Sequence, residues 1–130
     1  MAEIDIELRS VVKRFGAFTA VKGIDLDVPR GRFVTLLGPS GCGKTTTLRM
    51  MGGFEVPDAG TITIAGQALR AGGGADRLTR MVFQNYALFP HMTTADNVAF
   101  GLEMRRLPRE ETRARVAEAL RLVQLEGYEA

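Results

Sequence analysis

Apolar residues alternate with charged ones twice in the first thirty positions. Ile4, Ile6 and Leu8 are interleaved with acids and Arg9; Ile24, Leu26 and Val28 are interleaved with Asp25 and Asp27. A period of two sends one side of an extended chain into a core and the other into water, so both stretches predict half-buried strands. Arg14, Phe15 and Gly16 predict a turn between them, and Pro29, Arg30 and Gly31 end the second strand. Phe33, Val34, Thr35, Leu36 and Leu37 differ: this run is almost continuously apolar, which predicts a strand covered on both faces. Alternation returns at Thr61, Ile62, Thr63 and Ile64 after a turn at Pro57, Asp58, Ala59 and Gly60. Met81, Val82 and Phe83 predict a short buried strand that ends in Gln84.

Helical signals fill the remaining intervals. Residues 45–51 contain no breaker and should stop near Gly52 and Gly53. A helix over 95–106 has Thr94 as its N-cap candidate, and Pro108 separates it from a second helix. That helix carries Glu110 and Glu111 in its first turn, places Val116, Leu120 and Val123 at i, i+4 and i+7, and ends before Gly127. Ala71, Gly72, Gly73 and Gly74 predict a surface connection, because a second phosphate loop would want a lysine and a helix start after it. No internal repeat is apparent.

Composition narrows the class. The chain of 130 residues is long enough for one ordinary domain, and 45% apolar with 25% charged residues fits a globular protein. Glycine, at 15 residues, exceeds the usual level of about 7% and concentrates in the loops already marked. The net charge is only +2, so composition gives little support for nucleic-acid binding. Arg105, Arg106, Arg109, Arg113, Arg115 and Arg121 do cluster, but Glu103, Glu110, Glu111 and Glu118 interleave with them, which predicts a solvated helix face. The single cysteine, Cys42, excludes an internal disulfide framework and fits a reducing cytoplasm. It reads first as a small loop filler, with a reactive thiol at a helix start as the sharper alternative. The N-terminus has acids and alternation where a secretory signal has a basic region and an apolar stretch, and no apolar run approaches a membrane span.

The chemistry concentrates between the continuous apolar run and the first helix. Gly38, Pro39, Ser40, Gly41, Cys42, Gly43, Lys44, Thr45 and Thr46 satisfy the pattern G-x-x-x-x-G-K-[ST] in a strand-to-helix setting. Glycines let successive backbone N–H groups approach an anion without a Cβ in the way. The following helix start adds free donors and the positive end of its dipole. Lys44 would reach the β- and γ-phosphates, and the Thr45 hydroxyl is a hard oxygen suited to Mg²⁺. The loop therefore predicts nucleotide binding.

Three stretches together, RFGAFTAVKGIDLDVPRGRFVTLLGPSGCGKTTTLRMMGGFEVPDAG, MVFQ and NYALFPHMTTADNVAFGL, resemble the nucleotide-binding subunit of an ATP-binding cassette (ABC) transporter over residues 4–127. The resemblance implies an α/β fold: a P-loop NTPase (ABC ATPase) core with an antiparallel β subdomain and the start of the helical subdomain. It implies ATP and Mg²⁺ as cofactors. Phe15 matches the position of an aromatic that stacks on adenine, which suits a flat apolar base, while ordinary core packing is the alternative for that ring. Gln84 matches the family's glutamine loop, whose amide approaches Mg²⁺ and the attacking water; an incidental strand-end hydrogen bond is its alternative. Lys44 and Gln84 are accordingly the catalytic candidates, and Thr45 and Gln84 the metal ligands.

Tyr86, Leu88, Phe89, Pro90 and Met92 match the segment that receives the permease's coupling helix, with burial in the domain's own helical core as the alternative. His91, the only histidine, falls within it and does not match the family's switch histidine. The wording of NYALFPHM is most similar to ATPases of importers for polyamines, iron(III), sulfate or sugars. The resemblance further implies transmembrane permease subunits, a second ATP-binding subunit in a homodimer, an indirect periplasmic or extracellular binding protein, and a peripheral place on the cytoplasmic face of the membrane. The family's LSGGQ signature, its Asp-Glu strand end and its switch histidine do not occur in these 130 residues. The expectation is thus the N-terminal part of one ABC ATP-binding domain, retaining at most nucleotide binding. Two other readings are a soluble ABC-type ATPase acting on nucleic acid or ribosomes, and a small-molecule P-loop kinase, which would not explain Phe15 and MVFQ.

Overall fold

A computed structural model describes residues 3–69 and 78–130 and divides the chain into two compact units, 1–81 and 82–130. The connection expected at residues 71–74 lies outside the described residues.

In the first unit, β1 (Ile4–Phe15) and β2 (Phe18–Pro29) form a long antiparallel hairpin. Strict alternation along β1 would bury Leu8 and expose Val11, yet both are fully buried. A bulge reconciles them: Leu8 pairs with Leu26 and Val11 with Ile24, so three steps on β1 face two on β2. The extra residue, Ser10, takes φ 47°, and its N–H donates to Asp25 Oδ1 at 2.7 Å. The ladder runs on to the pair Phe15–Phe18, so the turn is only Gly16 and Ala17, and Phe15 ends a strand where a turn position was expected.

β3 (Ala59–Ile64) pairs with the other side of β1, and β4 (Gln67–Ala68) follows it, giving the order β2-β1-β3-β4. Two residues are too few to show periodicity, which is why β4 left no sequence signal. β3 begins inside the turn expected at 57–60, because Asp58 is already tied to β1: its N–H donates to Val12 O at 2.8 Å and its Oδ2 accepts from Arg14 N at 2.6 Å. Gly60 follows, with φ 85°, against the β1 bulge; a Cβ there would lie 2.4 Å from the carbonyl oxygens of Arg9 and Ser10.

One face of the sheet and the helix α1 (Lys44–Met51) share a core of Leu8, Val11, Val21, Met50, Met51, Ile62 and Ile64. On the exposed side, Arg9 bridges Glu7 and Asp27. The hydrogen bond to Asp27 holds the Arg9 guanidinium above its ordinary pKa.

Two strand expectations fail. Residues 33–37 belong to no strand; Phe33 is 95% and Leu37 88% exposed, and only Leu36 leans on the core. Residues 81–83 likewise form no strand, and Val82 is 81% exposed. An apolar run becomes a buried strand only when neighbours take its backbone groups and cover its faces. Among the described residues the four strands pair only with one another, so neither run has a ladder partner.

The second unit contains α2 (Thr94–Met104) and α3 (Arg109–Leu122), joined around Ala99, Val116 and Leu120, with Ala95, Val98 and Leu102 completing the contact. The cap of α2 is Thr93, not Thr94: Thr93 is extended (φ −68°, ψ 169°) and its Oγ1 accepts from Asp96 N at 3.1 Å. The helix stops short of Arg106, which adopts φ 56°. Val123, expected on the buried stripe, is exposed because α3 ends at Leu122 and Val123 is its C-cap. The six clustered arginines are all exposed, and Arg115 pairs with Glu111 one turn away at 2.7 Å, as a solvated face requires.

Candidate functional site

The first helix starts at Lys44, and the loop before it has the backbone that glycine makes possible. Gly41 and Gly43 stand at φ 77° and 92°, in the left-handed region. At Gly43 the need is also steric: a Cβ would lie 2.5 Å from Ala20 O, because the loop rests directly on β2. At Gly38 a Cβ would enter the loop's own cradle, 2.7 Å from Cys42 Sγ and 3.9 Å from Lys44 Nζ.

Lys44 folds back over this cradle. Its ammonium donates to Gly38 O at 2.6 Å and Pro39 O at 2.7 Å, and lies 3.3 Å from Cys42 Sγ. A cation is therefore centred among the residues that form the loop. Beneath it, Thr47 is buried, and both its N–H and its hydroxyl donate to Gly43 O, at 2.9 and 2.8 Å, locking loop to helix. Thr45 is exposed at the first turn of α1, and Thr46 is half-buried. Pro39, Ser40, Gly41 and Cys42 are exposed, so the cradle opens to solvent. Cys42 is a free thiol.

A cleft of about 380 Å³ opens beside the loop, bounded by Gly41, Cys42 and Thr47 on one side and by β2 residues including Phe18, Ala20 and Lys22 on the other. Lys22 and Phe18 were not among the sequence-derived site residues. The cleft takes consecutive residues of β2 from Phe18 to Lys22, so no alternation along the strand marks them in the sequence. Phe15 is not part of the cleft lining. It closes the same hairpin, 47% exposed, with Lys13 Nζ 5.3 Å from its ring centroid.

Gln84, in the second unit, is exposed within a turn. Of the apolar residues that follow it, Tyr86, Leu88 and Pro90 are exposed, whereas Phe89 and Met92 are half-buried. Phe89 packs on Phe100 of α2 with ring centroids 4.6 Å apart and meets His91 edge-on at 6.1 Å. The segment thus divides into an anchored part and a presented part. Among the described residues there is no gathering of His, Cys, Asp and Glu that could hold a metal, and no helix long and apolar enough to cross a membrane.

Residues 21–130 match the family model described as ABC transporter. A spermidine/putrescine import ATP-binding protein, PotA, of Nitratidesulfovibrio vulgaris is 55% identical over 130 residues, covering 98% of this chain and 35% of the relative. An Fe(3+) ions import ATP-binding protein, FbpC, of Escherichia coli is 53% identical over 124 residues, covering 95% of this chain and 36% of the relative. This chain therefore spans about a third of the length of the curated relatives it matches. Among solved structures, the dimeric bacterial ABC transporter cassette MJ0796 superposes with a TM-score of 0.82 at 30% identity, covering 96% of this chain and 60% of that one. Its post-hydrolysis dimer bound to ADP and Pi gives 0.79 at 31% identity, with the same coverage.

The antiparallel sheet, the loop-to-helix unit and the helical pair after it are accordingly parts of the ABC ATPase fold, a P-loop NTPase core with its antiparallel β and helical additions. With a family model matching most of its length and curated relatives more than half identical to it, the chain belongs to the ABC transporter family.

Proposed function

We propose that residues 38–46 bind the triphosphate of ATP with Mg²⁺, and that the chain is the N-terminal part of the ATP-binding domain of an ABC importer. The observation that carries this reading is the placement of Lys44. Its ammonium is held by two loop carbonyls over a cradle that a Cβ at Gly38 would fill, at the start of α1. An incoming phosphate would take over donors that Lys44 now spends on Gly38 O and Pro39 O. Charge-assisted bonds to phosphate are the stronger pair. The backbone N–H groups from Gly41 to Thr45 supply the rest of the cradle.

Thr45 suits Mg²⁺ because it is an exposed hydroxyl residue next to Lys44 in the first turn of the helix. The ion would neutralise charge shared between the β- and γ-phosphates. Gln84 is the second proposed oxygen ligand and a positioner of the attacking water. Phe15 is the proposed adenine platform, and the cleft along β2 next to the loop makes Phe18 its rival.

The two compact units would then be parts of a single ATP-binding domain. Hydrolysis coupled to uptake is proposed for the whole protein, as part of a homodimer attached peripherally to permease subunits on the cytoplasmic face of the membrane. An external binding protein would deliver the solute. That PotA and FbpC are import ATP-binding proteins supports an importer, with polyamine or iron(III) as the solute class. They lend no support to a nucleic-acid or ribosome role. Exposed Tyr86 and Leu88 are the proposed permease contact.

Equilibrium titration with ATP, with and without Mg²⁺, tests the site. Lys44→Ala should lose at least tenfold in affinity, and Thr45→Ala should lose only the Mg²⁺-dependent part. Unchanged affinity in Lys44→Ala would overturn the assignment.

A further inference from the structure

The segment after Gln84 has an unusual backbone. Tyr86 and Ala87, neither of them glycine, stand at φ 59° and 52° in succession. L-residues avoid that region, so such a conformation persists only where surrounding contacts determine it. Asn85 Oδ1 supplies one, accepting from Ala87 N at 3.2 Å, and the Tyr86 N–H donates to Phe83 O at 2.8 Å.

The larger set comes from one side chain on α2. Asn97 Oδ1 accepts from Phe89 N at 2.9 Å. Its Nδ2 donates to Phe89 O at 3.2 Å, Met92 O at 3.3 Å and Thr93 O at 2.9 Å. The amide thus engages both backbone groups of Phe89, as a neighbouring strand would, and shares its two N–H donors among three carbonyls within five residues of backbone. Only one orientation of the amide fits, since the reverse would set its oxygen against three carbonyls. Phe100, three residues further along the same helix, grips the Phe89 ring at 4.6 Å. Backbone and ring of Phe89 are therefore held from one face of α2, just after the exposed pair Tyr86 and Leu88.

We propose that Asn97 is a positioning residue that holds residues 86–92 as a preformed contact element, so that Tyr86 and Leu88 meet the permease without first having to order. The inference rests on the reading of this segment as the permease contact. Ordering a loop at the moment of contact weakens association, and a preformed loop avoids that loss. A carboxylate at position 97 would keep the acceptor for Phe89 N but face three carbonyls with no donor. Protonation would return one donor, which makes the role visible as a pH dependence that mere helix support would not show.

The experiment uses the full chain and its Asn97→Ala, Asn97→Asp and Leu88→Asp variants. Hydrogen exchange followed by mass spectrometry should show residues 86–92 exchanging at least tenfold faster in Asn97→Ala, with α3 unaffected. Asn97→Asp should be loose at neutral pH and tighten relative to Asn97→Ala as the pH falls through the carboxylate range. Exchange that rises evenly along α2 without favouring 86–92, or does not change, overturns the role of Asn97 and leaves the contact reading standing. The second arm measures binding to permease-containing vesicles by co-sedimentation. Loss of binding in both Leu88→Asp and Asn97→Ala supports the proposal. A loosened loop with full binding in Asn97→Ala, where Leu88→Asp has lost it, overturns the positioning role. Full binding in Leu88→Asp overturns the contact reading itself.

Discussion

Substituting Gly43 by alanine separates the two demands that the loop places on that position. The residue stands at φ 92°, and its missing Cβ would lie 2.5 Å from Ala20 O and 3.2 Å from the Val21 side chain. Left-handed backbone costs a non-glycine residue about 1–2 kcal/mol. Forcing an extra carbon against a close-packed neighbour costs about 1–3 kcal/mol more. The neighbour here is a backbone oxygen of β2, which cannot rotate away. Gly41 is the control, because it shares the left-handed backbone (φ 77°) but has nothing within 4 Å of its Cβ position. Urea unfolding monitored by circular dichroism should therefore show Gly41→Ala losing about 1–2 kcal/mol and Gly43→Ala roughly 2–5 kcal/mol. The difference between them is the steric contact between loop and β2. Equal losses would refute the close approach of Gly43 to Ala20 on which the cradle is built.

Other perturbations test the remaining parts. Val11→Ala, at a fully buried position that strict alternation would expose, should cost about 1.5–3 kcal/mol in the same unfolding assay, and a loss near zero would show that the bulged register is wrong. Thr93→Ala removes the cap of α2 and should cost about 0.5–2 kcal/mol, whereas Thr94→Ala should leave the cap intact. Phe15→Ala and Phe18→Ala identify the base platform: the ring that stacks on adenine should carry about 1–3 kcal/mol of ATP affinity and none of the affinity for inorganic triphosphate. If neither variant changes ATP binding, no aromatic of the hairpin is the platform.

Much of this architecture was legible because it depends on local pattern. Alternation placed parts of β1, β2 and β3, the two glycines marked the end of α1, and the complete phosphate-loop pattern located the cradle. What could not be read depends on partners. Residues 33–37 have the composition of a buried strand, but composition cannot supply the neighbouring ladder, and Phe33 and Leu37 lie exposed. The bulge at Ser10 has no signature beyond the three-residue step from Leu8 to Val11. Lys22 and Phe18 reach the cleft only because β2 passes under the loop, a tertiary fact. The choice of Thr93 over Thr94 as cap turns on one backbone angle, which two adjacent threonines cannot announce. Asn97 looks like any polar residue of a helix until the carbonyls of Phe89, Met92 and Thr93 are found around it.

The central claim is that backbone N–H groups of this loop, together with Lys44, grip a nucleotide's phosphates. Amide hydrogen exchange of residues 38–47 in saturating ATP with Mg²⁺ tests it most directly. The structure predicts strong slowing confined to this loop and the first turn of α1, lost in Lys44→Ala, with the β1–β3 ladder unchanged. Exchange in the loop that is indifferent to ATP, or slowing that survives Lys44→Ala undiminished, would contradict it.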